Sequence, residues 1–287
     1  MRASRWKILG TREPTALVDA RLQLHHAAQV VSAVGITFLE ATPDDSHPNL
    51  GWSEAAGALV GRLVSRERPF QAALGVARLE LLLLDDRGAT LGSLPLGGRT
   101  LADAHAWLAR AIEAHGVPLP GSRLTPVPYD LPAHPTARGA SFTGRPGEDF
   151  EELARWYGNA HAELEELAAR EAGASDVRCW PHHFDIATLI TLERGGDGAA
   201  SRTIGVGLGP GDETYAQPYW YVSPWPLPDE EHDLPPLAGG HWESGAFDAA
   251  VLTGRELVDG GPPGGQRERL RAFLGSALAA SRRRLGV

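Results

Sequence analysis

Cysteine, methionine and lysine are almost missing from this 287-residue chain, with one of each: Cys179, Met1 and Lys7. A lone cysteine excludes an internal disulfide and any multi-cysteine metal centre. Of the 27 lysine and arginine residues only Lys7 is a lysine. Schiff-base chemistry or a phosphate-loop lysine would therefore rest on a residue beside the N-terminus, which argues against both. Long apolar runs are also lacking. The longest, around Leu79–Leu84 and Ile186–Leu192, are far too short for a bilayer, and Met1–Lys7 lacks the apolar stretch of a signal peptide. The expectation is a soluble cytoplasmic protein with no membrane partner. Excess positive charge is missing too: the net charge of −9 argues against nucleic acid, which is bound through clustered cations. Neither G-x-S-x-G nor H-E-x-x-H occurs, so the common hydrolase and zincin chemistries have no support.

What the chain does contain reads as helix, several strands and helix, twice over. Apolar residues at helical spacing from Leu17 predict a helix to about Ala33, with His25 and Gln29 one turn apart on one face. Gly35 reads as its stop and Ile36–Glu40 as a strand. A short strand follows near Ala58–Val64. Val76–Leu84 reads as a strong strand, turned by Asp85–Gly88 into a hairpin with Ala89–Leu96. Thr100, with Asp103 three residues on, predicts a capped helix to His115. Seven prolines and four glycines crowd residues 117–147, which reads as a linker or an ordered crossing. A helix over about Glu148–Glu171 comes next, then strands at Arg178–Leu192, Ser201–Leu208, Tyr219–Val222 and Ala249–Leu252. A helix from Gln266 to Leu285 closes the chain, its Arg282–Arg284 complementing the helix dipole.

This order predicts an α+β protein of mostly antiparallel sheet covered by helices, one compact unit of two packed halves. Residues 15–116 form the first half, 117–147 the connection and 148–287 the second. Gly51-Trp-Ser-Glu and Gly240-His-Trp-Glu echo each other weakly, the trace that a remote duplication leaves.

Arg178–Leu192 carries the densest chemistry. As a continuous strand it places His183, Asp185, Ala187 and Leu189 on one face and Trp180, His182, Phe184, Ile186 and Ile190 on the other. His183 and Asp185 are the candidate acid–base pair. With His241 they are also the candidate ligands for Zn or Fe, which imidazole and carboxylate suit. His25, Gln29, His182, Tyr219, Tyr221 and His241 are expected to line the same small polar-ligand pocket. The competing expectation is a non-catalytic structural or partner-binding module, with these side chains as core. Gly205-Val-Gly-Leu-Gly-Pro210 is not a nucleotide motif, because Pro210 stands where the last glycine of G-x-G-x-x-G belongs and no helix pattern follows. It reads as a glycine-rich turn. Along Tyr219–Trp225, alternation puts Tyr219 and Tyr221 on one face and Trp220 on the other. The oligomeric state has no sequence signal.

Several segments resemble, in order, those of a family of bacterial proteins known as a domain of unknown function. Leu24-His25 with Gln29-Val-Val31 is similar to its L-H-x-x-x-Q-V-V helix. Ser93-Leu-Pro-Leu96 with Arg99 and Ala102-Asp103 resembles its S-L-P-L-x-x-R-x-x-A-D segment. Phe184-Asp-Ile-Ala187 resembles the end of F-W-G-S-F-D-L-A, and Tyr219–Pro228 its Y-x-Y-x-Y-P-x-P strand. The resemblance implies that His25, Gln29 and Asp185 are shared positions. His182-His183 replaces the family's Gly-Ser, and the family brings no activity with it.

Overall fold

The computed structural model describes residues 6–196, 200–226, 234–244 and 248–287. The Leu227-Pro228 end of the aromatic motif lies outside them. In chain order the elements are α1 (Val18–Phe38), β1 (Gly51–Ser53), β2 (Ala58–Val60), β3 (Phe70–Gly75), β4 (Glu80–Asp85), β5 (Thr90–Pro95), α2 (Leu101–Ala114) and α3 (Glu148–Ala168). Then follow β6 (Arg178–Trp180), β7 (Asp185–Arg194), β8 (Ala200–Gly209), β9 (Tyr219–Trp225), β10 (His241–Glu243), β11 (Ala249–Thr253), α4 (Gly254–Asp259) and α5 (Gln266–Leu285). Among the described residues there are two antiparallel sheets, of five and six strands, so the α+β class with two halves is as expected. No described helix is long and apolar enough to cross a membrane.

The two compact units are drawn differently from the expected halves. One comprises Leu17–Ala154 and Arg178–Phe184; the other comprises residues 6–16, Arg155–Val177 and the described residues from Asp185 onward. In the first, β1-β2-β3-β4-β5 lie in sequence order. α1 packs against β3 and α2, and α2 against β4 and β5. Alternation sends Phe70, Ala72, Leu74, Leu81 and Leu83 to one face, all of them buried. Phe70 meets Phe38 of α1 edge-on at 5.5 Å. Gln71, Ala73, Glu80, Leu82 and Leu84 point to the other face.

Helix α1 is buried on almost every side, so its polar side chains must be satisfied inside the protein. They hold the irregular 117–147 crossing, whose backbone lacks a strand partner. Gln23 Oε1 accepts from the Thr143 amide at 2.8 Å, and Thr37 Oγ1 from the Thr125 amide at 2.8 Å. His26 Nε2 meets the Pro132 carbonyl at 3.0 Å. His134, within the crossing, reaches Asp19 at 3.1 Å. Of the two readings of this stretch, linker or ordered crossing, the bonds give the second, an ordered strap across α1.

Gly35 does not stop α1, and Ile36–Glu40 is not a strand. The helix continues to Phe38, and the loop at His47–Pro48 presses against it. A Cβ on Gly35 would lie 2.6 Å from the His47 carbonyl oxygen. The glycine serves close approach, not termination. Val76–Leu84 is likewise not one strand: residues 76–79 turn, with Leu79 at φ +46°, between β3 and β4. The capped α2 has its box, Thr100 and Asp103 bonding each other's backbone amide.

In the second unit the order is β10-β11-β9-β8-β7, and α5 packs against β8, β9 and β11. Arg267 and Arg271 of α5 clasp Glu163, which is only 3% exposed. Arg282 pairs with Glu171. The echoing segments both form edge hairpins, β1–β2 and β10–β11. The strand beside the hairpin is β3, the first of its run, in one sheet and β9, the last of its run, in the other.

Candidate functional site

The strand expected to carry His183 and Asp185 on one face is interrupted between them. Residues 181–184 form a turn, closed by the Phe184 amide donating to the Trp180 carbonyl at 2.7 Å. Phe184 takes φ +61°, a conformation that costs a non-glycine residue on the order of 1 kcal/mol. Two side chains of α1 hold the turn. His25 Nε2 and Gln29 Nε2 both donate to the Pro181 carbonyl, at 2.9 and 2.7 Å, and His25 stacks on the Phe184 ring with centroids 5.1 Å apart. His25 therefore carries its proton on Nε2. Burial lowers its pKa from 6.5 to about 4, against the Pro181 bond and together with His26, Arg21 and His183.

His182 and His183 leave the turn side by side, ring centroids 4.4 Å apart, with His183 exposed and His182 half-buried. His182 also meets Tyr129 at 5.4 Å. Burial, reinforced by His183, lowers the pKa of His182.

Asp185, Tyr219, Tyr221 and His241 form a second group, in the other unit. Tyr221 Oη donates to Asp185 at 2.5 Å. Tyr219 Oη donates to Asp212 at 2.5 Å, and Tyr215 Oη to Glu243 at 2.5 Å. His241 Nε2 meets Tyr215 Oη at 2.8 Å. Since that hydroxyl gives its proton to Glu243, the imidazole is the donor. Tyr215–Tyr219 and Tyr219–Tyr221 ring centroids lie 5.1 and 6.3 Å apart, so three phenols stand in a row, each bound to its own carboxylate. Burial first, then these carboxylates, push Tyr215 and Tyr219 far above the ordinary phenol range. They are donors that keep their protons. Asp185 is paired, as a polar group on this strand must be, but half-buried rather than enclosed.

The glycine-rich segment explains the row. It is strand β8, not a turn, with Gly207 opposite Tyr221 and Gly209 opposite Tyr219. Cβ atoms there would lie 2.6 Å from Tyr221 Oη and 2.7 Å from Tyr219 Cζ. The glycines form a shelf on which the rings lie, and Trp220 points to the opposite face as alternation required.

The eight singled-out residues thus belong to two groups: His25, Gln29, His182 and His183 in one unit, and Asp185, Tyr219, Tyr221 and His241 in the other. Among the described residues no three His, Cys, Asp or Glu side chains gather to hold a metal. Because residues 181–184 form a turn, His183 and Asp185 of the expected Zn or Fe set with His241 do not share the face of one strand.

Sequence reasoning missed a groove. The face of β1–β5 carrying Gln71, Glu80, Leu82 and Leu84 opens into a groove of about 1000 Å³. Val60, Leu82 and Leu84 contribute apolar surface, with Trp52, Ser53 and Thr90 at the sides. Four arginines line it, Arg62, Arg78, Arg87 and Arg178, against a single carboxylate, Glu80. Register gives their places. Arg62 follows β2 at the Leu84 end, and Arg87 lies in the hairpin turn beyond the same end of β4. Arg178 reaches Gly51, whose Cβ would be 2.8 Å from its Nη1; Gly51 opposes Val60, level with Leu82. Arg78 sits at the far end, 3.2 Å from Glu80. The one available signal was the preference for arginine over lysine, since arginine suits planar anion recognition.

No family model, curated protein or solved structure matches the chain.

Replacing Asp185 with Ala tests the tyrosine row. It leaves Tyr221 without this acceptor on a half-exposed face, and a loss of about 1 kcal/mol is expected in urea unfolding. An unchanged midpoint would show the bond to be energetically silent.

Proposed function

We propose that this is a non-catalytic small-molecule-binding protein whose ligand lies in the open face of the β1–β5 sheet. The groove carries the reading: its volume reaches the upper end of the ordinary range for ligand sites, and apolar floor with a few polar groups is their usual composition. Nothing in its lining favours acid–base chemistry. No histidine, cysteine or tyrosine lines it, and Glu80 is engaged by Arg78. The acid–base and metal-assisted versions of this function draw no support from the tyrosine row either, where the Tyr215 and Tyr219 phenols are held protonated. A cytoplasmic setting is in keeping with a single, buried cysteine, Cys179, that is in no disulfide.

Thr90 lines the groove from an exposed position on the edge strand β5. Thr90→Trp should fill the groove mouth and leave the fold intact. In a thermal-shift screen of small organic molecules, the wild-type protein should gain several degrees with some of them, and the variant should gain nothing from the same compounds. Hits that stabilise both proteins equally, or a wild type that responds to none, would remove the groove as the binding place.

A further inference from the structure

The groove is polarised, and its polarity names a ligand class. Resting on the binding function proposed above, we infer that it takes an amphipathic oxyanion, a carboxylate or phosphate monoester on a compact apolar body. Its head would lie at the Arg62–Arg87 end, with its body over Leu84, Leu82 and Val60.

The argument is one of charge and register. Cations outnumber carboxylates four to one in the lining, in a chain whose net charge is −9, so the groove opposes the sign of the molecule as a whole. The only lining carboxylate, Glu80, lies at the Arg78 end and is paired there. The opposite end has two arginines. Arg62 is anchored, its Nε donating to the Ser46 carbonyl and to Asn49 Oδ1, both at 3.1 Å. The guanidinium is thus set in direction by the loop that holds it. A preoriented, planar donor recognises carboxylate and phosphate better than a mobile ammonium does. Arg87 adds an exposed charge from the hairpin turn. Arg178 flanks the floor level with Leu82, where a guanidinium plane covers an apolar body without demanding charge from it. A cationic ligand would meet the exposed like charge of Arg87 at this end. A neutral one would leave the arrangement unused.

The test uses the intact protein and one body with four heads: 2-naphthoate, 2-naphthyl phosphate, 2-naphthol and 2-naphthylmethylammonium, titrated calorimetrically at neutral pH. The two oxyanions should bind at least about tenfold tighter than the neutral and cationic members, as one charge-assisted contact gives. The advantage should shrink with added salt. It should vanish in Arg87→Glu, an exposed turn position whose replacement leaves the core untouched. Between the oxyanions, tighter phosphate binding assigns the head as phosphate and tighter naphthoate assigns it as carboxylate. Equal affinity for all four heads, abolished by Thr90→Trp, would overturn the oxyanion class while leaving the binding function standing. Failure of every member to bind, or binding indifferent to Thr90→Trp, would overturn both. So would a wild-type dimer in light scattering that Thr90→Trp turns into a monomer, because a second copy would then be the occupant of the groove.

Discussion

Acidification from pH 6.5 to 4 should weaken this protein by about 3 kcal/mol through His25 alone. The imidazole is 4% exposed, and its pKa falls from 6.5 to about 4, chiefly by burial. His26, Arg21 and His183 act in the same direction, and the Pro181 carbonyl opposes them. Between those two values the unfolded chain binds a proton that the folded chain refuses, so stability rises with pH across the window. Above pH 6.5 the contribution is complete. It drains away as pH falls, and below about 4 both states are protonated. A displacement of roughly 2.5 units at 1.36 kcal/mol each gives the magnitude. His26, lowered by burial and by His134 against its Pro132 bond, adds to the effect with the same sign. Urea unfolding at pH 7, 5.5 and 4.5 measures the slope, and His25→Gln isolates it. Glutamine retains an N–H for the Pro181 carbonyl and does not titrate. If the variant loses stability with acid as steeply as the wild type, His25 is not the source.

Gly207→Val should cost about 3 kcal/mol, near the upper end of what overpacking does. Even a Cβ at this position would lie 2.6 Å from Tyr221 Oη, 2.7 Å from its Cζ and 2.8 Å from the Ala187 Cβ. A ring can swing away, but Ala187 is fixed to the neighbouring strand, opposite Gly207. The valine must therefore displace Tyr221 from its shelf, severing its bond to Asp185, and also push on β7. A double-mutant cycle separates the two effects. In a Tyr221→Ala background the ring is already gone, so Gly207→Val should cost markedly less, leaving only the Ala187 contact. Equal costs in both backgrounds would mean that the glycine serves the backbone and not the ring.

Local signals were legible in the sequence. The capping box of α2, the β4–β5 hairpin and the full length of α5 rest on residues close together in the chain, where propensity and caps decide. The misreadings have separate local causes. In Val76–Leu84 the two charged residues, Arg78 and Glu80, stand two apart as on one face of a strand, so alternation does not mark the turn at Leu79. The turn at Phe184 has no glycine or asparagine at its left-handed position to announce it. Gly35 and Gly207 looked like punctuation because a glycine required by a distant neighbour is indistinguishable, in sequence, from one required by a turn. The groove was beyond reach for a stronger reason: its four arginines lie on separate segments and share a site only once five strands are set in order.

The interleaving of the two units bears on how the chain can be built by a ribosome. The unit of Leu17–Ala154 lacks Arg178–Phe184 until long after its sheet has emerged. Until then His25 and Gln29, the residues that grip the Pro181 carbonyl, face the unfinished molecule with nothing to hold. The other unit waits longer still: the segment that brings Leu9 to Gln266 is made well before that partner and finds it only when α5 appears. Vectorial, domain-by-domain maturation, the usual course for chains of this size, is closed to a protein threaded this way. Each unit is incomplete until its late segment is made, and nascent-chain protection should be needed until α5 has emerged.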